Sequence, residues 1–313
     1  MTLRLTVDTA RWREHVAHVA RHAPGLIPVV KGNGYGFGRH ELATVAAELS
    51  ATIAVGTVHE LGGLPGGVTP VVLTPSLRPP DDVRPILTVG SAAHVDALAG
   101  WPGRVVVKLC SSVRRFGVTP DELGPLAARA RTAGLEIAAF AVHPPVDGPD
   151  DEHVDDIATW FDLLAPGDEV WVSHLSADGY AALHDAWPER PLRIRHGTAL
   201  WHGAGKPALH LGADVLDVRR VSAGDTAGYR RSRIAESGWI CVVGAGTAHG
   251  VHPLESGRSP FHFARRRLVL VEPPHMHAAM VFVPAGEEPP ALGAIVDVQH
   301  PLISTHVDEV VWA

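Results

Sequence analysis

The sequence predicts an α/β-plus-β protein: an N-terminal (β/α)8, TIM-like barrel over residues 1–203 and a C-terminal all-β domain over residues 204–313. Three observations carry that prediction. Short apolar, β-branched runs alternate with Ala-rich amphipathic segments between residues 26 and 195, the pattern of parallel strands returned by helices. Counting the runs gives eight strands, which matches a closed barrel better than an open doubly wound sheet. Beyond Trp201 the rhythm changes to β-rich runs separated by Gly, Pro and His, and Gly203–Pro207 marks the boundary.

In chain order, Leu3–Val7 alternates like a strand, and Asp8 or Thr9 caps a helix running through Trp12 and Val16. Barrel strands are expected at 26–30, 52–55, 70–74, 86–89, 104–110, 136–141, 169–173 and 191–195. Helical segments are expected around Glu41–Leu49, Val58–Leu61, Ala92–Leu98, Asp121–Arg131, Asp155–Leu164 and Ala177–Ala186. In the C-terminal part, strands are expected at 239–243, 267–271, 279–283, 295–298 and 307–312, with a turn over Val221–Tyr229.

The totals narrow the function classes. The chain has 313 residues, 46% apolar and 19% charged, as in soluble globular enzymes. A net charge of -7 without a basic run argues against a nucleic-acid partner. No apolar run is long enough for a membrane span, and no signal segment opens the chain, so the expectation is a cytoplasmic protein with no membrane partner. Cys110 and Cys241 lie in apolar runs and read as buried free thiols, which fits a reducing compartment.

Lys31 is one of three lysines in the chain and ends the apolar run Leu26–Val30, immediately before the glycine-rich Gly32–Gly38. A lysine there loses hydration, which lowers its pKa and favours the neutral, nucleophilic amine. In such a barrel, chemistry gathers where strands end. Those positions hold Lys31; Lys108 with Ser111, Ser112, Arg114 and Arg115; His143; Ser173, His174 and Ser176; and Arg195, His196, Gly197 and Thr198. Cations converging with hydroxyl and Gly-Thr turns describe a site for an anionic, phosphorylated ligand.

These residues also carry a family resemblance. Val29-Val30-Lys31-Gly32-Asn33-Gly34-Tyr35-Gly36-Phe37-Gly38 resembles the pyridoxal phosphate (PLP) lysine motif of alanine racemases, V-V-K-A-N-A-Y-G-H-G. Lys108 with Arg115-Phe116-Gly117 is similar to K-x-D-T-G-M-x-R-x-G, Val142-His143 to the family's T-H, and Arg195-His196-Gly197-Thr198-Ala199-Leu200 to R-P-G-I-A-L. Ile53–Glu60 resembles the family's second strand and the Glu that follows it. The resemblance implies PLP as cofactor, joined to Lys31 as a Schiff base, with Tyr35 beside it. It implies that Lys108, carbamylated, braces Arg115 at the cofactor's phenolic oxygen and that His143 stacks on the pyridine ring. Arg195 would face the pyridine nitrogen, and Ser176 with the Gly197 and Thr198 amides would hold phosphate. An arginine at that nitrogen keeps it unprotonated and weakens the electron sink, which suits brief proton removal at the α-carbon.

The sequence departs from the family in its second half. Thr247 stands where the family places a catalytic tyrosine, His249 where it places an aspartate, and Met276-His277 replaces a Met-Asp pair. A threonine hydroxyl cannot do a tyrosine's acid–base work, whereas an imidazole titrates near neutral pH. The expected function is therefore PLP-dependent racemisation or epimerisation of a small amino acid by a homodimer. Lys31 is the base on one side, and His249, with His277 as a lesser choice, is the other acid–base group. A PLP lyase, dehydratase or decarboxylase, and a PLP-binding protein without turnover, are the alternatives. A zinc site built on His275 and His277 with His300 or His306 has ligand-like residues but lacks a His/Cys signature, so no metal is expected.

Overall fold

The computed structural model describes residues 2–313. The chain divides into two compact units: one of Glu14–Gly34 and Arg39–Gly203, the other of the residues up to Arg13 together with Tyr35–Gly38 and Ala204–Ala313.

Strand β1 (Leu3–Val7) is followed by helix α1 (Thr9–Arg21). The first unit then lays down eight parallel strands: β2 (Ile27–Pro28), β3 (Thr52–Val55), β4 (Thr69–Val72), β5 (Ile86–Val89), β6 (Arg104–Lys108), β7 (Glu136–Ala141), β8 (Val170–Ser173) and β9 (Leu192–His196). Their hydrogen-bonded order is β2-β9-β8-β7-β6-β5-β4-β3, and a parallel bridge between Val29 and Ala54 joins the two ends into a barrel. Every expected barrel strand is present. Ile53, Ala54, Val71, Leu87, Val105, Val107, Val170 and Ile194 are buried, as strands covered on both faces require. The connecting helices are α2 (Arg39–Leu49), α3 (Ala92–Asp96), α4 (Pro120–Thr132), α5 (Asp150–Ala158), α6 (Ala177–Ala186) and α7 (Thr198–His202). Local chemistry sets their starts: Pro120 opens α4 while Glu122 accepts the Thr119 N–H at 2.9 Å, and the Ser176 hydroxyl caps α6 by accepting Gly179 N–H at 3.1 Å.

The second unit is antiparallel. The thirteen-residue β10 (Leu209–Val221) pairs with β1, β13 (Gly238–Val243) and β18 (Ile295–Val298). Between β10 and β13 lies the hairpin β11 (Thr226–Ala227) and β12 (Ser232–Arg233). The sheet is extended by β14 (Phe261–Phe263), β15 (Arg266–Arg267), β16 (Val269–Leu270) and β17 (Ala279–Pro284), and β19 (Glu309–Trp312) runs parallel to β1. Val215, Cys241, Val243, Val281, Val283 and Val296 fill its core, each fully buried aliphatic side chain contributing about 1.5–3 kcal/mol. Trp12 packs against Phe37 and Trp312 with ring centroids 5.2 Å apart in each pair.

Several expectations need correction. The span 1–203 does not hold as one domain at its N-terminal end, because β1 joins β10 and β19 in the antiparallel sheet and Tyr35–Gly38 group with that unit. Strand β10 escapes periodicity because Asp214, Asp217, Arg219 and Arg220 interrupt its apolar run, and a register shift between Val215 and Asp217 breaks the alternation. Helix α5 begins at Asp150, ahead of the expected 155, and three acidic residues in its first turn suit the helix dipole.

Candidate active site

Lys31 follows β2 at the C-terminal end of the barrel. The strand is anchored on both sides, by Val29 N–H donating to His196 O at 2.9 Å and Val30 N–H to Ala54 O at 2.8 Å. Glycine is obligatory just beyond: Gly34 has φ +65°, and a Cβ there would lie 2.5 Å from the Arg39 nitrogen. Glu60 accepts the N–H groups of Gly56 at 2.7 Å and Gly32 at 3.2 Å, tying the lysine loop to the loop after β3. The Lys31 side chain is exposed, yet crowding by protein and the charges of Arg115 and Arg195 hold its amine below the usual lysine value, with Glu60 opposing them.

Lys108 ends β6 and is 5% exposed. Its Nζ is buried and has no hydrogen-bond partner. Burial, then the charges of Arg195 and Arg115, push its pKa well below the usual lysine value. The loop that carries Arg115 returns to the strand: Val118 N–H donates to Lys108 O and Cys110 N–H to Val118 O, each at 2.9 Å. Arg115 itself is exposed and stacks over the Phe116 ring at 4.6 Å.

Arg195, at the end of β9, is buried, and its Nη2 donates to Val142 O at 2.7 Å and to Ser173 Oγ at 3.4 Å. Burial, helped by Arg115, lowers its pKa to about 10, which leaves it cationic at neutral pH. His143, which follows β7, has Nδ1 2.5 Å from the same Ser173 Oγ. Arginine can only donate, so the Ser173 oxygen accepts from Arg195, and because this buried hydroxyl meets no acceptor but His143 Nδ1 among the described residues, its single proton goes there. The imidazole proton therefore sits on Nε2. Burial and then Arg195 push the His143 pKa down to about 2, so the ring is neutral. The His174 ring lies 4.4 Å from it, and burial and His174 lower the His196 pKa to about 4.

Three loops are pinned by one face of α5. Asp150, His153 and Asp156 are spaced three apart and so project together. Asp150 accepts the Ser176 N–H at 3.0 Å and the Ser176 hydroxyl; Asp156 accepts Ser112 N–H at 3.1 Å and its hydroxyl at 2.8 Å. The two ring nitrogens of His153 meet the carbonyl oxygens of His174 at 3.0 Å and Asp147 at 3.3 Å.

The barrel unit thus brings together Lys31, Lys108, Arg115, His143 and Arg195. Gly197 and Thr198 open α7, whose first N–H groups have no acceptor within the helix. Ser176, expected at the phosphate, gives its hydroxyl proton to Asp150 while its oxygen accepts from Gly179 N–H. Tyr35 groups with the antiparallel unit, is buried with φ +56°, and has its phenol raised to about 12 by that burial. His249 is 6% exposed, and both ring nitrogens are engaged. Gly246 N–H donates to Nδ1 at 3.0 Å, so Nε2 carries the proton and faces Asp308 at 3.2 Å. Its basic lone pair is spent on the loop, which disagrees with a role as a free acid–base group. In the same unit, His275 gives its Nε2 proton to the buried Glu272, and Nδ1 has no hydrogen-bond partner among the described residues. Thr247 N–H donates to His275 O at 2.8 Å. Among the described residues no three His, Cys, Asp or Glu side chains form a metal-sized cluster.

Sequence reasoning missed Asp150, His153, Asp156 and Glu272. The one available signal was the three-residue spacing on α5, and it gives no hint of which loops the side chains reach.

A family model described as alanine racemase, N-terminal domain, matches residues 7–200, more than half of the chain. The alanine racemase of Cereibacter sphaeroides (strain ATCC 17025 / ATH 2.4.3) is 32% identical over 177 residues, covering 55% of this chain and 49% of that protein, so the chain matches about half of that relative's length. That of Paraburkholderia phytofirmans is 29% identical over 277 residues, covering 79% of this chain and 76% of the relative. Among solved structures, alanine racemase from Bartonella henselae, described with covalently bound pyridoxal phosphate, gives a TM-score of 0.76 at 18% identity over 100% of both chains. The enzyme from the D-cycloserine producer Streptomyces lavendulae gives 0.72 at 19% identity over 100% of this chain and 97% of its own. At such identities the structural likeness speaks for the fold: a parallel barrel and a β domain.

Proposed function

The chain belongs to the alanine racemase family, and from that premise we propose that it is a PLP-dependent amino-acid isomerase in which Lys31 carries the cofactor and moves the substrate's α-proton. The observation that carries this reading is the pair of lysines with lowered pKa, Lys31 and Lys108, each under the field of Arg115 and Arg195 at the barrel's C-terminal end.

The residues fit the group. Lys31 supplies an amine biased toward its neutral, nucleophilic form. The fixed guanidinium of Arg195 suits the pyridine nitrogen, the neutral ring of His143 suits the pyridine face, and the Gly197 and Thr198 amides suit phosphate. The Lys108 Nζ, buried without a hydrogen-bond partner and under the charges of Arg195 and Arg115, supports a carbamate at this lysine. A carbamate, formed as the neutral amine adds carbon dioxide and releases a proton, places a negative charge there. Bound PLP supplies the electron sink that acidifies the α C–H bond. Lys31 Nζ takes the proton at that carbon and returns it. Arg195, held by Val142 O and Ser173 Oγ, stays cationic and keeps a proton off the atom it faces.

Racemisation removes the α-proton on one face of the carbon and delivers a proton on the other, and Lys31 serves one face. Of the antiparallel unit's histidines, His275 has the uncommitted ring nitrogen and a buried carboxylate behind it, so we assign the second acid–base role to His275 ahead of His249. The assembly in this reading is a homodimer, the substrate a small amino acid, and the setting reducing and cytoplasmic, which the two unpaired thiols Cys110 and Cys241 favour. A one-base reaction, such as elimination or decarboxylation, is the second reading, and Thr247 at the tyrosine position is the observation that favours it.

The test is the visible absorption of the purified protein and its Lys31→Ala variant with PLP, then L- and D-alanine in deuterium oxide. A visible band lost in the variant, with α-deuterium in both enantiomers, is the expected result. Exchange in one enantiomer alone supports the one-base reading, and no band at all overturns both.

A further inference from the structure

Two consecutive residues at one strand end meet the ring of His143. Ser173 closes β8, and its hydroxyl donates to His143 Nδ1 at 2.5 Å. The ring of the next residue, His174, lies 4.4 Å from the His143 ring with the planes 48° apart. Successive side chains of an extended strand point to opposite faces, so neighbours reach one partner only if the backbone turns between them. It does turn: His174 has φ +61°, a left-handed conformation that costs free energy for any residue with a Cβ. Three contacts hold it there. Its carbonyl oxygen meets His153 Nδ1 at 3.0 Å, and its own Nδ1 lies 2.9 Å from Pro144 O and 3.0 Å from Pro145 O. Carbonyl oxygens only accept, so Nδ1 carries a proton and shares it between the two residues that follow His143. Burial lowers the His174 pKa, so at neutral pH the ring is neutral and its Nε2 is bare.

We propose that His174 is a positioning residue of the cofactor site: its Nδ1–H clamps the His143–Pro145 turn and its ring backs the His143 ring, fixing the plane that His143 presents. The inference rests on the reading that this barrel binds PLP with His143 against the pyridine ring. The main chain of His143 is already tied, because the Ser111 hydroxyl donates to its carbonyl oxygen at 2.6 Å. The bond from Ser173 then fixes one ring atom but leaves the imidazole able to pivot about it. A second ring packed beside it blocks that pivot. His143 faces the part of the cofactor that PLP shares with pyridoxal, so losing His174 weakens both forms alike.

The test uses the full chain, first free of cofactor and then titrated with PLP and, separately, with pyridoxal, in the His174→Gly and His174→Asn variants. Glycine and asparagine both adopt positive φ readily, so neither strains the turn, and asparagine keeps a short N–H donor for the prolyl carbonyls. Nitrogen-15 NMR of histidine-labelled wild type should show His174 as the Nδ1–H tautomer beside His143 as the Nε2–H tautomer. In His174→Gly the His143 ring signals should broaden or move, and both PLP and pyridoxal should bind about three- to ten-fold more weakly. Circular dichroism of the visible band, per bound cofactor, should fall, because it reports how firmly the ring is oriented. His174→Asn should bind both forms more tightly than His174→Gly does. A merely structural role would lower stability while leaving the His143 signals and the dichroism per bound cofactor unchanged. That result, a loss of affinity confined to PLP, or an Nε2–H tautomer at His174 overturns the assignment. If the wild-type chain gives no band with either form, the cofactor reading itself fails and the role toward cofactor falls with it. An intact wild-type band with unaltered His143 signals in His174→Gly removes this inference alone.

Discussion

Replacing Ser173 with alanine tests the proton polarity of the site. The serine is 2% exposed; it donates to His143 Nδ1 at 2.5 Å and accepts from Arg195 Nη2 at 3.4 Å. Deleting the hydroxyl leaves a half-buried ring nitrogen without its donor, at a cost of about 1–3 kcal/mol. Alanine is nearly the size of serine, so little cavity cost is added. The same hydrogen bond is what holds the imidazole proton on Nε2. Without it the Nδ1–H form becomes competitive. Nitrogen-15 NMR of histidine-labelled protein reads this directly: the wild type should show His143 as a single Nε2–H tautomer that does not titrate above about pH 4, because its pKa is lowered to about 2. Ser173→Ala should show a mixture, with the barrel unfolding at lower denaturant. Arg195 keeps its bond to Val142 O, so its guanidinium should stay in place. A variant with the same tautomer and unchanged stability would refute the hydrogen-bond assignment.

Three other perturbations follow from the same geometry. Wild-type protein equilibrated with carbon-13-labelled carbon dioxide should show a carbamate carbon resonance that Lys108→Ala lacks; its absence from the wild type leaves the orphaned Nζ without the proposed anion. Gly117 has φ +137°, and a Cβ there would lie 2.7 Å from the Cys110 nitrogen, so Gly117→Ala should destabilise the barrel by about 1–3 kcal/mol in denaturant unfolding and loosen the Arg115 loop; unaltered stability would show that the loop yields freely. His275→Gln and Glu272→Gln should abolish α-deuterium exchange with one enantiomer of alanine and spare the other, while His249→Gln should cost stability without that selectivity; the reverse pattern returns the role to His249.

Much of the barrel was legible because its strands are buried on both faces. Thr52–Val55 and Ile86–Val89 are short, mostly apolar runs between turn residues, and they became β3 and β5 with the expected ends. Lys31 and Lys108 were legible as rare lysines ending apolar strands, and they lie where the burial and neighbouring charge that shift a pKa are found. Strand β10 was not legible: it pairs with three partners, and charged residues along it satisfy no single period. Nor was the early start of α5, whose acidic first turn reads equally well as a solvated loop.

The sequence by itself determined which residues stand at strand ends, since burial of apolar runs is a local, periodic demand on the chain. Only the tertiary structure decided what those residues do with their protons. Asp150 reaches Ser176 across 26 positions, His143 meets Ser173 across 30, and the lone pair of His249 is taken by a nearby amide while that of His275 is left open. A hydroxyl has one proton and a neutral imidazole one N–H, so each role is fixed by whichever partner the fold brings within 3 Å or so. Periodicity does not encode that choice; the packing of α5 against the loops of the barrel mouth does.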